Sequence, residues 1–196
     1  MNDMVLYLSG VRKLKLFFSI LALIISIQGF AQENTRIENG MQYKPSLVQP
    51  FIHELYQKND FVILFRNLLP DKIEFESSYF VFAGKGDQFT AYTYSLNKPG
   101  LVNLNLSISK LNLIWKTFEQ NELFKIRDEK DIPNFCAKKY DIYGSYTYEF
   151  TILSKGYMKI LSYYNPEYYT EVCYGISERQ NIINSAAIIN RLYFDN

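Results

Sequence analysis

Few residues in this chain have the types and spacing that chemistry requires. The single histidine, His53, sits in Phe51-Ile52-His53-Glu54-Leu55. One imidazole cannot build a His-Glu-x-x-His zinc helix, and any Ser-His-Asp triad would have to use it. No serine occupies a Gly-x-Ser-x-Gly elbow of the kind that exposes a hydrolase nucleophile. Gly84-Lys85-Gly86 lacks the long spacing and following Ser/Thr of a phosphate-binding loop, so it reads as a hairpin turn. Carboxylates are the remaining route to catalysis. Glu149, Glu167 and Glu171 lie among aromatic residues, and a pair flanking a sugar could serve as acid and base. A small carboxylate-dependent glycan hydrolase is the alternative reading on that ground.

The tyrosines lead elsewhere. Tyr163, Tyr164, Tyr168 and Tyr169 bracket Asn165-Pro166-Glu167. Pro166 has no amide hydrogen to give a ladder, so the strand stops and the chain turns there. Adjacent Tyr163 and Tyr164 point to opposite faces of a strand, which leaves one outside the core. Tyrosine offers a broad, rigid contact surface and a hydroxyl at little entropic cost. Strands also favour tyrosine for their own packing, which is the plainer account of the same residues. The leading expectation is an exported, non-catalytic binding or interaction protein with no cofactor and no metal. Its aromatic surface patch is Tyr163, Tyr164, Glu167, Tyr168 and Tyr169, and its partner an unknown protein or glycan.

The elements that would position these residues follow from periodicity. Pro50 opens a short helix over 51–57. Phe61, Leu64, Phe65 and Leu68 recur at helical spacing, although Phe61–Phe65 also suits a buried strand; the spacing favours helix, ended by Pro70. Strands are expected over 73–83, 88–95 and 101–108, the last with Val102, Leu104, Leu106 and Ile108 on one side. Their short links make an antiparallel meander. Ser109 is the expected N-cap of a helix over 110–124, with Leu111, Ile114, Trp115 and Phe118 as its apolar stripe. A hairpin, 145–153 with 157–164, turns at Ser154-Lys155-Gly156 and points Tyr146, Tyr148, Phe150 and Ile152 inward. Ser177-Glu178-Arg179-Gln180 reads as a capping box for a last helix.

The ends and the charge bound the compartment. Basic Arg12, Lys13 and Lys15 precede an apolar run over 16–27 that is short for a membrane span, then Gly29 and Ala31 at a cleavage site. Residues 1–31 are therefore expected to be a signal peptide, 32–46 a flexible lead-in and 47–196 a single domain, with the mature chain periplasmic or secreted. Cleavage removes three basic residues and Asp3 from totals of 21 and 20, leaving 18 and 19 and a net charge of −1. No basic run survives, so nucleic acid and anionic membrane surfaces are poor partners, and no stable membrane insertion follows cleavage. In an oxidising compartment the two cysteines, Cys136 and Cys173, are expected to pair rather than to act as a nucleophile or metal site. The fold expected is α+β: one antiparallel sheet, helices packed on one face, and that disulfide pinning the hairpin to the C-terminal helix.

One stretch resembles a known group. Trp115, Asn121–Phe124, Asp141, Gly144, the aromatic hairpin and Pro166 follow an order similar to that in uncharacterised secreted proteins of Bacteroidota. The resemblance covers about a third of the expected mature chain. It implies an α+β sheet with helices on one face, and it brings no activity.

Overall fold

The central strand explains the architecture. Phe61–Leu68 is a continuous apolar run up to Phe65, and such a run is stable as a strand only if both of its faces are covered. It is a strand, not the expected helix. In the computed structural model, which describes residues 35–68, 78–95, 98–132, 145–173 and 176–193, it lies in the middle of a seven-stranded antiparallel sheet. The strands are β1 (Met41–Gln42), β2 (Phe61–Leu68), β3 (Ser78–Lys85), β4 (Gln88–Ser95), β5 (Lys98–Asn103), β6 (Thr147–Ser154) and β7 (Tyr157–Tyr164). Their order across the sheet is β1-β7-β6-β2-β3-β4-β5. Four described helices accompany them: α1 (Pro50–Lys58), α2 (Ile108–Gln120), α3 (Pro166–Val172) and α4 (Ser177–Tyr193). Thr35–Asn196 forms one compact unit.

Alternation along β2 divides the core. Phe61, Ile63 and Phe65 face one side with Phe80, Phe82, Phe150, Ile152 and Leu161, covered by Ile114 and Phe118 of α2 and by Ile182, Ala186 and Ile189 of α4. Trp115 stacks on Phe61 at 4.8 Å and on Phe89 at 5.3 Å, so its role is in the core. Val62 and Leu64 face the other side with Val81, Ala83 and Tyr94, where Ile52 of α1 seals them. We call these the first and second faces.

One part of the expected fold is corrected. Helices lie on both faces rather than one, because the apolar residues of β2 and β3 point both ways. Cys173 is buried and is not a free thiol, while Cys136, its expected partner, lies outside the described residues. Other contacts also tie the hairpin to its neighbours. The Tyr163 hydroxyl donates to the Arg127 carbonyl at 2.5 Å, and Arg179 Nε donates to Glu129 Oε1 at 3.2 Å. Arg127 and Glu178 form a second ion pair between this segment and α4.

Other local expectations shift for identifiable reasons. The third meander strand ends at Asn103 rather than Ile108, because Asn105 turns the chain at φ 49° and Ser107, not Ser109, caps α2 by accepting from the Lys110 amide. The capping box of α4 is not formed: the Ser177 hydroxyl donates to Glu178, and the Gln180 amide donates to Asn184. The lead-in is partly ordered, with Ile37 in the core and Met41–Gln42 paired to β7. The hairpin turns on Lys155 and Gly156, both left-handed at φ 50° and 80°, the twist a two-residue turn needs. The expected signal peptide, Asp141 and Gly144 lie outside the described residues.

Both margins of the sheet are occupied. Along β7, β1 pairs with Tyr157 and Met158. Further down, the amides of Ser162 and Tyr164 donate to Asp128 Oδ2 at 2.9 Å and Glu129 Oε2 at 3.0 Å. On the other side β5 carries Pro99, Gly100 at φ 129° and a register shift against β4.

Candidate functional site

Of the five residues expected to form an aromatic patch, the fold brings the Tyr164, Tyr168 and Tyr169 rings together, with Tyr169 6.3 Å from Tyr164, and places Tyr163 in the core. Asn165 adopts the left-handed conformation at φ 40°, and Pro166 then starts α3 instead of a simple turn. Tyr163 is fully buried on the first face. Burial, with Glu178 and Glu129 nearby, pushes its phenol well above the ordinary value. Tyr169 is also buried, its ring 5.4 Å from the Arg179 guanidinium carbon and 5.3 Å from the Tyr168 ring. Tyr164 is half-buried and its hydroxyl accepts from Ser145 at 2.5 Å. Tyr168 and Glu167 are half-buried as well, so no continuous exposed aromatic surface joins the five.

The carboxylates expected to cooperate do not meet. Glu167 Oε1 accepts from the Tyr148 hydroxyl at 2.9 Å, and Tyr148 belongs to the first-face core. Burial and that carboxylate push the Tyr148 phenol far up, and burial and Glu167 carry Tyr146 to about 12. Glu149, the next residue on β6, points to the second face, where Arg66 Nε donates to it at 2.7 Å. The sheet lies between the two, so they cannot flank one glycosidic bond. Glu171 is exposed on α3. His53 shares hydrogen bonds with the Tyr43 hydroxyl at 2.8 Å and the Gln57 amide at 3.0 Å, both structural contacts. Among the described residues, no three His, Cys, Asp or Glu side chains are grouped to hold a metal ion, and no helix is long and apolar enough to cross a membrane.

One described concavity lies on the second face. Its floor is Leu64 of β2, Thr151 of β6, and Met158 and Ile160 of β7. One wall is 46–49, which begins in a short 3-10 turn (Pro45–Leu47), with Ile52 of α1, and the other is Tyr79 with Tyr94. The two tyrosine rings stack at 5.6 Å, and Phe51 packs on Tyr94 from the far side at 4.7 Å, which fixes that wall. Arg66 lies 5.0 Å over the Tyr79 ring, and its bond to Glu149 closes the neighbouring charge on itself. Burial raises the Tyr79 and Tyr94 phenols, keeping both neutral. The volume is about 450 Å³, within the range of ligand sites.

None of the eleven lining residues is charged. Leu47 and Ile160 at the rim are 46% and 39% exposed, and Met41, across the ladder from Met158, is 52% exposed. Such a surface binds by removing apolar area from water and not by moving protons. Its residues come from six separate segments, so no motif announces it. The one sequence signal was the alternation that puts Met158 and Ile160 on one side of β7. Comparison of the chain with protein-family models, curated proteins and solved structures finds no match.

Proposed function

We propose that this chain is a non-catalytic binding protein of the periplasm or cell exterior, and that it recognises a protein partner through the groove on the second face. The observation that carries the reading is the apolar exposure around that groove. Leu47 and Ile160, two of the eight large apolar side chains exposed in the described residues, line it, and a third, Met41, pairs across the ladder with Met158 of its floor. Uncharged pockets with aromatic and Met walls are where interface energy concentrates. The export half of the reading rests on the basic, apolar and small-residue order of the N-terminus.

Site-specific photocrosslinking tests it. Benzoylphenylalanine placed at Leu47 or Ile160, in cells of the native host, is expected to give one discrete protein adduct. Placed at Leu113, an exposed apolar position on α2, it is expected not to. Adducts of equal yield from all three positions, or none from the groove, would refute the groove as the recognition surface.

A further inference from the structure

We infer that Asn39 is a site of covalent modification, where the chain cyclises onto Gly40 and thereby releases the strap that closes the edge of β7. Asn39-Gly40 is the one Asn-Gly pair in the sequence. Asn39 is exposed and left-handed at φ 57°. Among the described residues neither its carboxamide nor the Gly40 amide has a hydrogen-bond partner. An electrophilic carbon and an uncommitted nitrogen therefore stand next to each other in the chain, open to water. Glycine matters because it has no Cβ to hinder the approach of its own nitrogen.

The chemistry needs only water. The Gly40 nitrogen attacks the carboxamide carbon of Asn39, forming a new C–N bond. The bond from that carbon to the carboxamide nitrogen breaks, and ammonia leaves with the proton given up by Gly40. Water then adds to one carbonyl of the cyclic imide and opens it. Opening at the side-chain carbonyl gives aspartate. Opening at the main-chain carbonyl, the more electrophilic of the two because it adjoins the acylated Cα, gives isoaspartate. In isoaspartate the main chain runs through the former side chain and is longer by one carbon, about 1.5 Å.

The strap has little room for that carbon. On one side of Asn39, Ile37 is in the first-face core and the Glu38 amide donates to the Phe124 carbonyl at 3.3 Å. On the other, Met41 and Gln42 pair with β7, and the Tyr43 amide donates to the Gly156 carbonyl at 2.8 Å. Tyr43 then packs on the second-face core. The segment thus wraps the sheet margin and is anchored on both sides of the turn. Gly40 fits so closely that a Cβ would meet Ile37 Cγ2 at 2.5 Å and the Met158 carbonyl oxygen at 3.0 Å. An inserted carbon and a new carboxylate must lift one anchor, Ile37 or the pairing with β7. The change is irreversible without a repair reaction, so it marks the age of the molecule.

The test holds the purified protein in mildly alkaline buffer, native or unfolded in urea, and follows it by peptide mass mapping. An isoaspartyl methyltransferase labels the isoaspartate. In the native sample the peptide carrying Asn39 is expected to gain about 1 Da, with isoaspartate the main product. Asn105 is the matched comparison, exposed and left-handed at φ 49° but followed by Leu106. Asn39 should convert roughly tenfold or more faster than Asn105. In the modified fraction, hydrogen exchange of the Glu38 and Tyr43 amides should be about tenfold or more faster than in fresh protein. Asn39→Gln, which would have to close a larger ring, should abolish the mass gain and keep both amides slow through the same incubation. Conversion in urea alone would show that the fold keeps Asn39 from reacting and would overturn the site. Aspartate without isoaspartate would overturn the cyclisation. Modified protein whose Glu38 and Tyr43 amides stay as slow as before would overturn the release of the strap.

Discussion

Lys159→Met should stabilise this protein, by an amount that shrinks as pH rises. Lys159 lies on β7 among first-face core residues and is 4% exposed. Its ammonium makes one long hydrogen bond, 3.4 Å to the Phe124 carbonyl. That carbonyl also accepts from the Glu38 amide at 3.3 Å, so it keeps a partner when the lysine is removed. Burial lowers the ammonium from the ordinary 10.5 to about 8, opposed by Glu38, Asp128 and Asp131. A folded value below the unfolded one means that the unfolded chain holds the proton more tightly, so wild-type stability rises between pH 8 and 10.5 and is lowest below that window. At about 1.4 kcal/mol per pH unit the gap is worth about 3 kcal/mol. Imperfect packing of the new side chain brings the expected gain to about 1–2 kcal/mol. Met has a similar reach and no charge, so the site stays filled. Urea unfolding of both proteins at pH 7 and pH 9.5 measures it. The variant should be the more stable at pH 7, with its advantage gone by pH 9.5. A variant destabilised at pH 7, or a gain independent of pH, would refute the burial argument.

Gly84→Ala should cost about 1–3 kcal/mol, because a Cβ there would meet Phe61 Cε1 at 2.5 Å and Phe89 Cδ1 at 2.9 Å, both in a packed aromatic layer; denaturant midpoints measure it. Tyr169→Ala should cost about 3 kcal/mol through its buried ring and its contact with Arg179. Tyr168→Ala, at a half-buried position, should cost less than about 1 kcal/mol. Equal melting temperatures for those two variants would contradict the assignment of Tyr169 to the core.

How far the sequence reveals this fold depends on whether a segment has one buried face or two. β4, β6 and β7 were legible because their alternation matches a sheet with distinct sides. β2 was not, since burial on both faces removes the alternation and leaves an apolar run that also satisfies helical spacing. The 101–108 stretch shows the opposite failure. Its alternation is clean, yet Val102 and Ile108 are exposed, because the positive φ of Asn105 ends the strand register before the pattern ends. Tyr163 and Tyr164 did split between faces as adjacent strand residues must, but Tyr169 went inward because Pro166 began a helix, where period-two reasoning no longer applies. The groove depends on contacts between distant segments and on a helix covering only part of a sheet, which local spacing does not encode.

The treatment of the sheet margins bears on how this protein fails. Its strands are rich in aromatic residues, the composition that seeds fibrils when an unpaired edge is offered to another molecule. At one margin Pro99 and the bent Gly100 make a poor template for a further strand. At the other the Asp128 and Glu129 side chains occupy the very amides a neighbouring chain would need. Truncating those two side chains would then unblock β7 while the core stands, and precipitation would begin there. Ala at these two positions offers a practical means of telling edge-driven precipitation from general unfolding.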